Sequence, residues 1–325
     1  MALKTVIARS AEEMDELAPL WQRCMAADRF ATVFQSFEWN RAVARYFSDR
    51  EQPYVIAVET GEEATIIPAA LAGGAVTLLG ERLGDYRGIL STNPEGQTMV
   101  WAWAALTDTN LVLRFTALRP EHHPVFDQVS TQSFAAAPYL DATGTSAEEF
   151  AKHHNRMFSR LRKLERLGFT ICKRTATDAE LLRWISGKKA EADPKSLFHD
   201  RTRVAVLVEA FGALASGVQV ATLERQGVLI AAAVAIEDRD VLRFYTNWYD
   251  AEWAHYSPGM VLLYEITRRA LEAGRSCDYM TGEQPYKLRM ASGVAPLRRV
   301  DASAEEVRGA AEWLARRPPF ALHSV

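Results

Sequence analysis

The chain has 325 residues, 48% of them hydrophobic and 24% charged, with a formal net charge of -3. That is apolar material for a sizeable core and length for two compact units, while the acidic balance excludes any global pull toward DNA. Cys24, Cys172 and Cys277 lie far apart with no metal-type spacing, their odd count argues against a secreted disulfide framework, and no apolar run approaches the roughly 20 residues that span a bilayer. A cytoplasmic protein without metal is expected, since the acidic N-terminal stretch lacks an apolar signal core.

In chain order, "EEMDELAPLWQRCMAA" reads as a helix, and "PYVIAVE", "ATIIPAAL" and "AVTLLG" read as three strands joined by the turns "TGEE" and "AGG". The segment "LGDYRGIL" follows as a loop. A helical "EGQTMVWAWAAL" and a strand "LVLRFTAL" then complete the first half. Near residue 145 the composition turns helical. "SAEEFAKHHNRMFSRLRKLERLG" opens with Ser146 and Glu149 in capping-box spacing, and Lys152, Arg156, Arg160 and Lys163 recur on one face of the expected helix. That basic face reads either as a solvated surface or as an anion site suited to phosphates. His153 and His154 show no metal-ligand spacing and read as structural.

The second half repeats the order. A helical "ATDAELLRWISGKKAEA" is followed by "GVQVATLE", "VLIAAAVAIE" and "VLRFYTNW", an antiparallel meander with short polar turns. A helix from Pro258 to Ala273 is amphipathic, with Glu265–Arg269 and Arg268–Glu272 spaced as i,i+4 pairs and Gly274 as its stop. A short strand "SCDYMTG" closes the pattern. Ala64 falls opposite Val228, Ala75 opposite Val241, Gly96 opposite Met260 and Leu111 opposite Ser276, an offset of 164 to 166 residues throughout. Element order and constant spacing predict a tandem duplication, with domains at 1–145 and 146–325.

These features resemble the GNAT acyltransferase superfamily, and in their tandem arrangement the Fem-type and CelD-like transferases. "VFQSFEW", "LGDYRGIL", the basic helix, "YSPGMVLLYEI" and "DYMTGEQPYK" carry the resemblance through their order and spacing. It implies an α/β (α+β) fold of two GNAT-like domains, each a mixed, largely antiparallel sheet flanked by helices. The implied activity is acyl transfer, as acetyl, from acetyl-CoA or another acyl-CoA to an amine or a sugar hydroxyl of a small-molecule or glycan acceptor. A role in polysaccharide or cell-envelope biosynthesis follows from the family association alone.

In the family a turn Gln/Arg-x-x-Gly-x-Gly/Ala precedes a helix whose N-terminal N–H groups hold the CoA pyrophosphate. Here Ala254, Ser257 and Gly259 occupy those three positions, so two of them depart from the form. Donor binding is therefore expected at Tyr256, Ser257, Pro258, Gly259 and Met260, with Arg156 or Arg160 supplying a cation. The strand carrying Tyr245, Asn247 and Trp248 is expected to offer backbone N–H groups to the oxyanion. Tyr286 stands where the family's thiolate acid falls, with Tyr279 in reserve, and Asp278, Glu283 and Asp250 are candidate bases. Asp250, Lys287 and the first-half trio Asp85, Tyr86 and Arg87 are expected to touch the acceptor. Each of these residues also has an ordinary structural reading. Trp39 reads as core, and Cys277 as a small buried hydrophobe without a catalytic partner in His255.

Two other readings stay open. One is a Fem-like transferase that uses aminoacyl-tRNA and a peptidoglycan precursor. The other is a non-catalytic duplicated fold that binds a ligand or partner.

Overall fold

The structure, a computed structural model, describes residues 3–80, 83–119, 124–175, 179–214 and 217–316. The chain divides into two units, Met1–Ala135 with Pro296 onward, and Ala136–Ala295. This differs from a boundary at residue 145 with the whole remainder in the second domain, and strand pairing explains the difference.

The first unit begins with β1 (Lys4–Ala8), α1 (Ala11–Asp15), α2 (Ala18–Ala27) and α3 (Phe37–Tyr46). Strands β2 (Gln52–Glu59), β3 (Ala64–Ala72) and β4 (Ala75–Leu78) form a meander. A short β5 (Leu90–Ser91) pairs with β3, α4 (Gln97–Thr107) follows, and β6 (Val112–Leu118) runs parallel to β4. Strand β7 (Thr131–Leu140) then leaves the unit, because its end pairs with a strand of the second unit. The alternation that makes a strand half-buried is the same whichever sheet receives it.

In the second unit the expected seam helix is two helices, α5 (Ala147–His153) and α6 (Asn155–Arg166), broken at His154, whose φ of -102° and ψ of 34° are not helical. The capping box of Ser146 and Glu149 is formed as the sequence indicates. After β8 (Phe169–Thr175) come α7 (Ala179–Ala192) and α8 (Arg201–Ala213). Positions 176–178, the start of the expected α7, lie outside the described residues. Strands β9 (Val218–Arg225), β10 (Val228–Asp238) and β11 (Val241–Tyr249) form the predicted antiparallel meander. Gln226 (φ 51°) and Gly227 (φ 79°) make its first turn, a two-residue hairpin that needs left-handed backbone at both positions.

Helix α9 (Pro258–Glu272) leads to β12 (Ser276–Asp278), which runs parallel to β11. Helix α10 (Pro285–Met290), β13 (Gly293–Ala302) and α11 (Ala304–Ala315) end the described chain. From Pro296 onward β13 belongs to the first unit, where it pairs with β6, and α11 contributes Val307, Ala310 and Leu314 to the core that holds Trp103 and Phe115. Each unit thus takes its last strand from the other half of the sequence.

Both units show one plan: an antiparallel meander, a helix, and a parallel strand beside the meander's last strand. Helix α9 shows why the sequence adopts it. Val261, Leu262, Leu263, Ile266, Ala270 and Leu271 are buried, and the i,i+4 pairs Glu265–Arg269 and Arg268–Glu272 both form. Glu265 is itself buried, which pushes its carboxyl up, but hydrogen bonds from Arg268 and Arg269 outweigh that and hold it below the ordinary range. Gly274, at φ 71°, ends the helix as expected.

Candidate active site

The parallel pairing of β11 with β12 lasts for three residues, Val241 with Ser276, Leu242 with Cys277 and Arg243 with Asp278. On its other side β11 pairs with β10 through a bulge, with Thr246 opposite Val234 and Phe244 opposite Ala235, so Tyr245 is the extra residue. A bulge bends its strand and increases the local twist. A cavity of about 190 Å³ opens where the two strands part, lined by Phe244, Tyr245, Thr246 and Asn247 of β11 and by Tyr279, Gln284, Tyr286 and Lys287 beyond β12. Its volume suits a small group such as an acyl chain or an amino-acid side chain, and is below the roughly 300 Å³ from which whole-ligand pockets begin.

Tyr286 and Asn247 are hydrogen-bonded across this opening, and burial pushes the Tyr286 phenol above its ordinary value despite that bond. It is therefore a neutral O–H donor at physiological pH. Tyr279 is buried, stacked 5.4 Å from Phe244, with its hydroxyl 3.2 Å from Thr267 Oγ1 and donating to Met290 O at 3.4 Å. Lys287 Nζ donates to Thr281 O at 2.6 Å and to Met280 O at 3.4 Å. One wall comes from α7, whose Lys189 Nζ donates to Asn247 O at 3.0 Å.

Asp278, expected as a base, has both oxygens engaged. Met280 N donates to Oδ1 at 2.8 Å, and Arg243 pairs with Oδ2 while also donating to Asp238 at 2.7 Å. It sits at the last register position before the strands part, and its bond to Met280 supports that residue's left-handed φ of 64°. These contacts make it a clamp between Arg243 and the turn at Met280. Glu283 is exposed on the turn before α10 and is not part of the cavity lining. Asp250 caps the 3-10 turn Ala251–Tyr256 by accepting from Glu252 N at 3.0 Å. Trp248 packs edge-on against Trp184 of α7 at 4.9 Å. Cys277 is buried, its thiol pushed up to about 12 by that burial, in keeping with a small core residue.

The turn ahead of α9 keeps the conformation of a glycine without being one. Ser257 has φ 54° and ψ 50°, a left-handed position that non-glycine residues adopt at some cost. Among the described residues, no side chain caps the α9 N-terminus. Instead Arg160 Nη1 donates to Ser257 Oγ at 2.7 Å, and Lys163 Nζ stands 5.4 Å from the centre of the Tyr256 ring. The basic face of α6 therefore reaches the helix N-terminus, with Arg156 exposed one turn earlier. Gly259 has its own reason: a Cβ there would meet Tyr249 Cδ1 at 3.2 Å. Pro258 and Met260 occupy the first turn, where proline's missing N–H loses no helical bond.

The equivalent helix of the first unit differs. Gln97 N at the start of α4 donates to Glu63 Oε2 at 3.1 Å, and Asn93 Nδ2 donates to Glu63 Oε1 at 2.7 Å. A carboxylate of the chain itself already serves that N-terminus. The first-unit trio is held in the fold: Tyr86 is buried and its carbonyl accepts from Gln35 at 2.8 Å, Arg87 donates to Gly84 O at 3.2 Å and to Thr116, and Asp85 lies between them and Gly84. Trp39 is core, as its sequence context indicates.

Sequence reasoning missed Lys189. Leu182, Ile185 and Ser186 are buried on α7, and Lys189 follows them at i+7, i+4 and i+3, so helical spacing alone would have turned it inward.

Among the described residues, no helix is long and apolar enough to cross a membrane and no group of three His, Cys, Asp or Glu could hold a metal ion. Residues 151–288 match the family described as "Acetyltransferase (GNAT) domain". No curated protein matches the sequence. Among solved structures, the chain is similar to the C-terminal domain of a lysylphosphatidylglycerol synthetase homologue from Agrobacterium fabrum, at 14% identity and TM-score 0.61, with 92% of this chain and 95% of that one covered. It is similar to FemX at 9% identity and TM-score 0.61, covering 95% and 99%. It is also similar to a tandem GNAT protein from the clavulanic acid biosynthesis pathway, at 13% identity and TM-score 0.51, covering 93% and 99%. These identities speak for the shared fold, a mixed sheet flanked by helices in tandem. Residues 151–288 accordingly match a GNAT acetyltransferase domain, within a chain whose fold is similar to those of FemX and the tandem GNAT protein.

Proposed function

We propose that the second unit transfers an acyl group from acyl-CoA, acetyl-CoA in the first instance, to an amine or hydroxyl acceptor at the opening between β11 and β12. The observation that carries this reading is the contrast between two equivalent helix N-termini. That of α4 is served by Glu63, whereas that of α9 has no capping side chain and has Arg160 beside it. Unpaired N–H groups, a favourable dipole and a guanidinium make a phosphate site. Residues Tyr256 to Met260 and Arg160 would hold the pyrophosphate end of the donor, and Arg156 adds charge one turn away.

The backbone of β11 between Phe244 and Asn247 faces the cavity and is the source of N–H donors for the carbonyl oxygen. The acceptor attacks the thioester carbon, a C–N or C–O bond forms, and the C–S bond breaks. Tyr286, neutral and lining the same cavity, gives its proton to the departing thiolate, and its phenolate is restored by the proton that the acceptor nitrogen or oxygen sheds as the new bond forms. Lys287, oriented by two carbonyls, contributes positive charge where the oxyanion develops.

The test is calorimetric binding of acetyl-CoA and free CoA to the native protein, to Arg160→Glu and to Glu63→Gln. Binding that is lost in Arg160→Glu and kept in Glu63→Gln is expected. Equal binding to all three proteins would remove the donor from the α9 turn, and no binding by the native protein would end the CoA reading. A steep fall of affinity with salt, beyond that of a few phosphate contacts, would instead favour an aminoacyl-tRNA donor.

A further inference from the structure

The charges around the opening are one-sided. Its lining carries two lysines, Lys189 and Lys287, three tyrosines and the amides of Asn247 and Gln284, and it includes no aspartate or glutamate. Elsewhere in the unit, guanidiniums that leave bulk water meet carboxylates: Arg268 meets Glu265, Arg275 meets Glu237, and Arg243 meets Asp238 and Asp278. Lys189 is different. It is half-buried, and its hydrogen bond goes to a neutral carbonyl, Asn247 O at 3.0 Å. The carboxylate whose charge reaches it is Asp193, exposed one turn further along the chain. Asp278, near the cavity floor, is taken up by Arg243 and Met280 N.

An ammonium has three donors and one full charge, and a carbonyl satisfies a donor without neutralising the charge. Withdrawing such a charge from water is unfavourable unless an anion joins it. The consequence is visible in Lys189 itself, whose amine is held below its ordinary value by burial, against the opposing charge of Asp193.

We infer that Lys189 is the specificity residue of this cavity and recognises a carboxylate on the substrate that enters it. The inference rests on reading the cavity as the acyl-transfer site, and it narrows the substrate to a carboxylate-bearing class. A phosphate belongs elsewhere, at the α9 N-terminus beside Arg160. A cavity of about 190 Å³ takes a carboxylate with a few carbons. The carboxylate can arrive on the acyl group, as in a dicarboxylic acyl thioester, or on the acceptor, as in an amino acid or a peptide end. In either case the cationic lining also disfavours the protonated form of an incoming amine, which must be neutral to attack.

The experiment has two arms, each run on the native protein, on Lys189→Met and on Lys188→Met. Lys188 is the adjacent lysine, paired with Glu191 at 2.6 Å, and controls for loss of one charge from the same helix. In the first arm, succinyl-CoA and acetyl-CoA are compared by calorimetry. In the second, N-acetylalanine and N-acetylalaninamide are compared without any CoA. A charge-assisted bond predicts a preference of roughly tenfold or more for the carboxylate member of one pair. That preference falls to parity in Lys189→Met and persists in Lys188→Met.

A preference in the first arm assigns the carboxylate to the acyl group, and one in the second assigns it to the acceptor. No preference in either arm, or one that survives Lys189→Met, overturns the inference. If neither CoA ester binds at all, the donor reading fails by itself, and the second arm alone decides the carboxylate site. Should Lys189→Met slow turnover of charged and uncharged substrates equally, Lys189 serves the oxyanion and the inference is likewise overturned.

Discussion

Replacing Asp278 with asparagine separates a clamp from a base. The carboxylate accepts from Met280 N at 2.8 Å and pairs with Arg243, whose Nε is also held by Asp238 at 2.7 Å. The substitution removes the charge but keeps an oxygen acceptor for Met280 N–H. What is lost is one charge-assisted bond in a nearly water-free setting, worth about 1.5–3 kcal/mol. Arg243 retains Asp238, so the fuller penalty of stranding a buried charge does not apply, and the loss should fall near 2 kcal/mol. For a unit of this size that is a drop of roughly 4–8 °C in the thermal midpoint. The assay pairs thermal unfolding by circular dichroism with acyl-CoA consumption well below the transition. As a clamp, Asp278→Asn melts early and keeps most of its turnover at low temperature, with an unchanged pH profile. A base would behave in the opposite way, with turnover falling about 10²–10⁴-fold and the melt hardly moved. That second pattern would refute the structural assignment.

Tyr286→Phe removes the proposed proton donor, so turnover should fall by about tenfold or more while acetyl-CoA affinity stays within about twofold, as stopped-flow and calorimetry would report. Glu63→Ala strips the α4 N-terminus of its capping carboxylate and should lower stability by about 0.5–2 kcal/mol in urea titration, with no effect on donor affinity. His154 is held below its ordinary value by burial and by His153, so the folded protein binds fewer protons than the unfolded chain. Its contribution is complete above about pH 6.5 and declines as pH falls toward the lowered folded value; urea midpoints at about pH 7.5 and about pH 5.5 should converge in His154→Phe.

Much of this fold is written in local pattern. The meander β9 to β11 is legible because strand alternation, β-branched residues and a hairpin turn at Gln226–Gly227 agree with one another. The 164 to 166 residue offset is legible for the same reason, since it needs only element starts. What failed to show depends on partners distant in sequence. The break at His154 occurs inside an unbroken helical pattern, where the ring packs at 4.5 Å from Phe150 and 6.5 Å from Tyr264. The exchange of last strands is equally silent, because β7 and β13 read as strands in any sheet. At the site, Arg160 was readable as a cation on the correct face of α6. Its bond to Ser257 spans 97 positions and is a tertiary fact. Asp278 reads from the sequence as a candidate base, and only the structure shows Arg243 beside it.

The difference between the two helix N-termini also has a traceable origin in the repeat. At the offset that aligns Ala64 with Val228, Glu63 falls on Gly227. Between β2 and β3 the turn has four residues, Thr60 to Glu63, and its last side chain reaches Gln97 N. Between β9 and β10 the turn has two, Gln226 and Gly227, both left-handed, and the aligned position carries no side chain at all. A two-residue hairpin of this kind demands a residue tolerant of positive φ, and glycine meets that demand while leaving the nearby helix end uncapped. Hairpin geometry and helix capping are therefore one choice made twice in this chain. The longer turn completes the first repeat with its own carboxylate, and the tight turn leaves α9 with Arg160 at its N-terminus instead.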